Sequence, residues 1–209
     1  MRSFAKIIAV AATLLISGSV TAPAAVFSFS HVLKAHIDRI AFEMPVMGPF
    51  AYTHFCVRYA DDCRVRGNSI RGPRRVKLTD ARWKDLVEVN RIVNGTIAPK
   101  HYVNDVSFDT WRVAPESGDC NDYAVTKRHE LLAKGWPSRA LLLSEVVTAW
   151  GEHHLVLLIR TERQDFVLDN LNANIKVWSK APYRWVRTQS PTEPALWSTI
   201  VETHVGRTS

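Results

Sequence analysis

One cysteine of this sequence has polar neighbours that suit chemistry. Cys120 lies between Asp119 and Asn121 in the string ESGDCNDYAV, and Asp122 follows directly after Asn121. A thiol in this setting could act as a nucleophile, ligate a metal, form half of a disulfide, or fill space in a core. Which of these applies depends on whether the thiol is free and on where the fold places it.

The other two cysteines stand close together in the string FCVRYADDC. Cys56 and Cys63 enclose a short loop that a disulfide could close, but their spacing leaves the geometry open. If they pair, Cys120 is the odd cysteine of an exported chain and a candidate reactive thiol. An inert thiol in the core remains the alternative. The spacings do not resemble the paired ligands of zinc sites.

The residues around Cys120 predict a helix that begins at the cysteine. Ser117 or Asp119 can cap it, and Gly135 can end it. Lys127 lies towards its end, where a cation suits the helix dipole. Unpaired N–H groups at a helix start favour a thiolate, and they can also stabilise an oxyanion on an attacked carbonyl. The predicted position therefore favours a nucleophile.

A nucleophilic thiol also needs a base and a group that orients the base. Among eight histidines, His153 and His154 open a predicted strand, HHLVLLIR. Alternation along a strand places the two on opposite faces, so only one of them can face Cys120. The next predicted strand ends in VLDN, where Asp169 could hold an imidazole by a hydrogen bond. This order of cysteine, histidine and aspartate indicates a catalytic triad.

The strings GDCNDYA, HHLVLL and VLDNL, in this order, resemble the bacterial transglutaminase-like cysteine peptidases. That family includes periplasmic proteases that clip large surface adhesins, and the resemblance covers roughly Trp111 to Trp185. It implies a papain-like, transglutaminase-core α+β fold. It also implies that Cys120 is the nucleophile, that His154, directly before the apolar strand, is the base, and that Asp169 is the orienting acid.

The sequence departs from the adhesin-cleaving members beside the cysteine. Those members typically read Asp-Cys-Glu-Asp, and their acids help to bind calcium. Asn121 stands at the Glu position and offers a carbonyl oxygen without a charge. Asp119 and Asp122 equally suit a helix cap and a partner for the helix dipole. Calcium is the one cofactor that the resemblance raises, and we assign no residue as a metal ligand.

Helical patterns precede strand patterns along the chain, which predicts an α+β domain with the nucleophile helix packed on an antiparallel sheet. A helix is expected from Thr79 or Asp80 to Gly95. Residues 31–44 are expected to form a helix or an arm, and residues 47–75 an irregular segment. Strands are expected at 139–147, 154–160, 165–170, 184–189 and 196–201.

The N-terminus has the pattern of an export signal. A basic start, an apolar run and a small-residue site predict a cleaved signal peptide at residues 1–24, and an uncleaved anchor is the alternative. Residues 25–209 are then a single domain, periplasmic or secreted, without stable membrane insertion. Removing Arg2 and Lys6 lowers the net charge from +7 to +5. This modest, scattered excess does not point to nucleic acid.

The function expected from these features is a thiol hydrolase that cleaves a peptide or amide bond in an envelope or surface protein. The chain is expected to act as a monomer. Two alternatives stay open: an acyltransferase that uses the same triad and an amine acceptor, and a non-catalytic envelope binding module. Trp150 and Gly151, directly before the histidines, are the aromatic and turn residues best placed to border a substrate cleft.

Overall fold

The computed structural model of the chain describes residues 39–65, 74–100 and 110–201. The predicted signal peptide at residues 1–24 lies outside these residues, as does most of the predicted N-terminal helix or arm. The helices of the described part are α1 (Phe50–Arg58), α2 (Ala60–Cys63), α3 (Asp80–Thr96) and α4 (Cys120–Ala133). None of the helices in these ranges has the length and apolar character that crossing a membrane requires.

The strands form one large antiparallel sheet and one small parallel pair. They are β1 (Phe42–Val46), β2 (Ala98–Pro99), β3 (Ser117–Gly118), β4 (Leu141–Val147), β5 (His153–Arg160), β6 (Asp165–Leu168), β7 (Lys176–Val177), β8 (Arg184–Gln189) and β9 (Trp197–Ile200). The large sheet has the order β1-β9-β8-β4-β5-β6-β7, and β2 pairs with β3. The five predicted strands are therefore confirmed as neighbours in one sheet.

Helix α4 packs on strands β4 and β5, and helix α3 packs beside α4. Strand β5 is buried on both faces. Leu155 and Leu157 belong to the larger core, which also includes residues of α3 and α4. Val156 and Leu158 belong to a smaller core with Trp178. The predicted α+β layers, with the nucleophile helix laid on an antiparallel sheet, are confirmed.

The structure revises two predictions for the N-terminal third. Residues 42–44, the last of the segment expected to be a helix or an arm, belong to strand β1, because β1 pairs with β9 from the far end of the chain. Residues 50–58 and 60–63, which were expected to be irregular, form the helices α1 and α2. Tyr52 and Phe55, one turn apart on α1, bury their rings against Trp111. These long-range contacts outweigh the local preference that the sequence pattern indicated.

The structure joins Cys56 and Cys63 by a disulfide, with their Cα atoms 5.5 Å apart. Helix α3 begins where the sequence predicted, since the Thr79 hydroxyl accepts a hydrogen bond from the Arg82 N–H at 3.3 Å. The helix then passes through Gly95 and ends one residue later.

Candidate active site

Helix α4 begins at Cys120, as the sequence predicted. Asp119 is its N-cap: Oδ1 accepts hydrogen bonds from the N–H groups of Asn121, at 3.0 Å, and Asp122, at 3.5 Å. Cys120 is half-buried and is the cysteine of the described residues that is not in a disulfide. The thiol therefore lies at the positive end of a helix of 14 residues, which favours the thiolate.

An ion pair anchors the segment that leads into the cysteine. The backbone N–H of Arg112 donates to Asp122 Oδ1 at 2.7 Å, and its guanidinium Nη2 donates to Oδ2 at 3.0 Å. The same guanidinium donates to the Ser117 carbonyl at 3.1 Å. Burial raises the pKa of Asp122, and the bonds from Arg112 oppose that shift only in part. A Cβ on Gly118 would lie 2.3 Å from Asp122 Oδ2, so this close approach requires glycine.

The two adjacent histidines have different partners. His154 is buried, and its Nε2 lies 2.8 Å from Asp169 Oδ1. His153 is exposed, and its Nδ1 lies 2.6 Å from Glu145 Oε1. The structure thus brings His154 and Asp169 together and leaves His153 in a separate surface pair.

Alternation alone would have selected the other histidine. Leu155 and Leu157, which have the parity of His153, pack in the core that includes α4. Val156, which has the parity of His154, packs in the second core. The hydrogen bond to Asp169, rather than the face of the strand, distinguishes His154.

Asp169 follows the last residue of β6 and accepts bonds at both carboxylate oxygens. Oδ1 accepts from His154 and from the Leu171 N–H at 3.0 Å, while Oδ2 accepts from the Tyr183 hydroxyl. Burial acts to raise the pKa of Asp169, but the hydrogen bond and charge of His154, with the bonds from Tyr183 and Leu171, outweigh it and hold the pKa below its usual range. The carboxylate is therefore kept ionised and fixed in orientation. Helix α3 also reaches this residue, since Asn94 Nδ2 donates to the Asp169 carbonyl at 2.9 Å.

Sequence reasoning missed Tyr183. It lies in an irregular connection before β8, where neither periodicity nor a motif marks it. Its ring centroid lies 5.6 Å from that of His154, and its hydroxyl donates to Asp169. Burial and the adjacent Asp169 carboxylate both raise the pKa of Tyr183, so it stays a hydrogen-bond donor at neutral pH.

Lys127 was expected to serve the helix dipole at the end of α4, but the structure buries it in the middle of that helix. The side chain is 1% exposed, and its Nζ lies 5.9 Å from the centroid of the Tyr123 ring. Burial lowers the pKa of Lys127 to about 7, although the charge of Asp169 opposes that shift. The charge of Lys127, on the helix that begins with Cys120, therefore interacts with the charge of Asp169.

A thiol at a helix start and a buried histidine–aspartate pair on the adjoining sheet are components found in thiol hydrolases of the papain-like and transglutaminase-like class. Residues 43–205 match the family model of the bacterial transglutaminase-like cysteine proteinases. The chain belongs to this family and is a cysteine peptidase of the transglutaminase-like type. A comparison with curated protein sequences finds no significant match.

Solved structures of Legionella pneumophila LapG resemble this chain. The calcium-bound form is 24% identical, with a TM-score of 0.50, over 58% of this chain and 71% of that chain. The EGTA-treated form is 25% identical, with a TM-score of 0.49, over 59% of this chain and 69% of that chain. The first likeness confirms the predicted transglutaminase-like fold.

Proposed function

We propose that this cysteine peptidase hydrolyses a peptide bond in a protein of the cell envelope, with Cys120 as nucleophile, His154 as base and Asp169 as orienting acid. The buried bond between His154 Nε2 and Asp169 Oδ1 carries the proposal. An aspartate in this position holds the imidazole in one tautomer and stabilises the imidazolium that forms during reaction.

The chemistry follows from that tautomer. Because Nε2 donates its hydrogen to Asp169, Nδ1 is the ring nitrogen that can accept the proton of the Cys120 thiol. The thiolate then attacks the carbonyl carbon of the substrate, and N–H groups at the start of α4 stabilise the negative oxygen. His154 returns the proton to the leaving nitrogen as the C–N bond breaks. A water molecule, deprotonated by His154, attacks the thioester, and the acid product and the free thiol are released.

The location and the substrate class rest on sequence. The predicted signal peptide at residues 1–24 directs the chain to the periplasm or beyond, where envelope and surface proteins are the available substrates. The family resemblance adds adhesins as the substrate class, and we include them in the proposal on that ground.

Calcium does not fit the residues beside Cys120. Ca²⁺ takes six to eight oxygen ligands and favours several carboxylates. Here one oxygen of the Asp119 carboxylate caps α4, and both oxygens of Asp122 accept bonds from Arg112. Asn121 adds no charge. Within residues 39–65, 74–100 and 110–201, no group of three His, Cys, Asp or Glu side chains could hold a metal ion. We therefore derive no step through calcium, and we propose that Arg112 supplies the positive charge at this point.

The test compares the wild-type chain with Cys120→Ala on isolated envelope proteins, with new N-termini identified by mass spectrometry. We expect new termini with the wild-type chain only. The same termini with Cys120→Ala would overturn the proposal. A labelled primary amine added to the reaction tests the acceptor: its incorporation into proteins, without new termini, would replace hydrolysis by acyl transfer.

A further inference from the structure

Lys127 lies on the same side of α4 as Cys120. The two residues are seven positions apart, which is two helical turns, and Ala124 and Leu131 share this side. Ala124 and Leu131 are core residues, so Lys127 occupies a position in an apolar stripe. A lysine is rarely placed this deeply without a partner that requires its charge.

Stability does not explain this lysine. Its folded-state pKa of about 7 lies below the usual value of 10.5, because burial disfavours the ammonium. Between these two pH values the side chain is protonated in the unfolded chain but largely neutral in the folded chain. The residue therefore destabilises the fold, most strongly below pH 7. An apolar side chain of similar length would avoid this cost, so the position points to a role beyond packing.

The charges of the proposed site supply such a role. The reactive form contains a Cys120 thiolate, a His154 imidazolium and an Asp169 carboxylate, which together leave one uncompensated negative charge. The Tyr183 hydroxyl and the backbone N–H of Leu171 donate hydrogen bonds to Asp169 but bring no positive charge. One additional cation would balance the group. His154 is the cation that is hydrogen-bonded to Asp169, and the ammonium of Lys127 is a second cation whose charge interacts with the Asp169 carboxylate.

The charged groups of α3 that face α4 have a different partner. Asp85 and Glu88 of α3 pair with Lys134 at the end of α4. The strand that α4 covers contributes leucines such as Leu155 and Leu157 to the shared core. On α4 itself, the ring of Tyr123 lies next to the Lys127 ammonium and favours it through its π face.

We propose that Lys127 is a positioning residue whose buried ammonium, on the same side of α4 as Cys120, balances the negative charge of the site and thereby favours the thiolate of Cys120. This inference rests on the proposed function, because it assigns Lys127 a part in the charge balance of that triad. A lysine on the nucleophile helix keeps the cation at a constant position relative to the thiol. The residue acts through its charge and does not touch the reacting atoms.

The test measures the rate at which iodoacetamide alkylates Cys120 between pH 5 and pH 10 in the folded chain. Cys56 and Cys63 are in a disulfide, so Cys120 is the thiol under observation. We expect Lys127→Met to move the alkylation profile upward by about one pH unit, a shift typical of one nearby charge. The rate at pH 6 then falls about tenfold, and the two profiles meet at high pH.

Two variants make the result specific. Lys127→Arg keeps the charge and should retain most of the low-pH rate. Lys134→Met, at the residue that directly follows α4 and pairs with Glu88, should leave the alkylation profile unchanged. A folded Lys127→Met chain with the wild-type profile would overturn the inference. If Lys127→Met does not fold, Lys127→Gln replaces it, and the same upward shift of the alkylation profile is expected.

Thermal unfolding at several pH values separates the effect of the Lys127 charge on stability from its effect on the reactivity of Cys120. We expect Lys127→Met to melt at a higher temperature than wild type below pH 7, and the difference to shrink towards pH 10. A merely structural lysine would move the melting temperature but not the alkylation profile. Alkylation needs no substrate, so this inference and the proposed hydrolysis can fail independently: cleavage by Cys120→Ala would overturn the function and leave the Lys127 profile to be judged by itself.

Discussion

His154 and Asp169 form a buried hydrogen-bonded pair, with Nε2 and Oδ1 2.8 Å apart. The pair joins the start of β5 to the residue that follows β6, so two antiparallel neighbours in the sheet hold it. His153, one residue earlier, points to Glu145 instead. The two adjacent histidines thus allow the proposed catalytic role of His154 to be compared with the surface position of His153.

His154→Ala should lower kcat/KM by about 10³-fold, because it removes the group that transfers the proton in both halves of the reaction. His153→Ala, the matched control on the same strand, should leave kcat/KM nearly unchanged. The measurement is steady-state cleavage of an envelope protein found by the Cys120→Ala comparison. A severe loss in His153→Ala with an active His154→Ala would reverse the assignment.

Tyr183→Phe tests the support of Asp169. We expect kcat to fall roughly tenfold with little change in KM, since one hydrogen bond to a charged group is lost while the substrate contacts remain. The Tyr183 hydroxyl helps to hold the pKa of Asp169 low, so phenylalanine should raise that pKa.

The sign of the accompanying stability change follows from linkage. A carboxyl with a lowered folded-state pKa contributes stability above its unfolded value, and this stability is lost as pH falls through the folded value. Tyr183→Phe should therefore unfold at a higher pH in an acid titration followed by circular dichroism. An unchanged acid midpoint together with an unchanged kcat would show that the hydroxyl is dispensable.

The parts of the fold that depend on local signals could be predicted from sequence. Helix α4 and its Asp119 cap follow from a capping residue, a helical period and a terminal glycine. Strand β8 has the predicted bounds, 184–189, because alternation and flanking turns define it. By contrast, β1 exists through its pairing with β9, more than 150 residues away, and no local pattern reports that partner.

The residues of the candidate site also fall into those that local sequence strings mark and those whose role depends on long-range contacts. Cys120, His154 and Asp169 stand in recognisable strings, although the choice of His154 over His153 came from the resemblance and not from strand parity. Tyr183 could not be predicted, because its role depends on a loop that returns to Asp169. Lys127 did carry a signal, its seven-residue spacing from Cys120, but a lysine on a helix is ordinarily interpreted as solvated.

The Cys56–Cys63 disulfide should contribute stability without a part in catalysis. It closes a loop with a sequence separation of 7, for which the chain-entropy model gives about 2–3 kcal/mol. The double variant Cys56→Ser/Cys63→Ser should lower the free energy of unfolding in urea by that amount. Dithiothreitol should produce the same loss in the wild-type chain and no further loss in the variant. A reductant effect that persists in the double variant would contradict this account.

The response of the chain to calcium tests the proposal that Arg112 supplies the positive charge beside Asp122. Its guanidinium already compensates Asp122, so neither EGTA nor excess calcium should change the melting temperature of the wild-type chain. Arg112→Ala removes this charge and leaves the Asp122 carboxylate buried without a cation, so this single variant should melt at a lower temperature. Differential scanning calorimetry with and without calcium measures both effects.

The double variant Arg112→Ala/Asn121→Glu removes the guanidinium that pairs with Asp122 and adds a third carboxylate beside Asp119 and Asp122. We expect calcium to raise its melting temperature, because an ion that binds only the folded state stabilises that state by mass action. Arg112→Ala/Asn121→Gln, which has the same shape without the charge, is the matched control and should respond little. Calcium stabilisation of the wild-type chain, equal to that of the glutamate double variant, would show that Arg112 does not take the place of the ion.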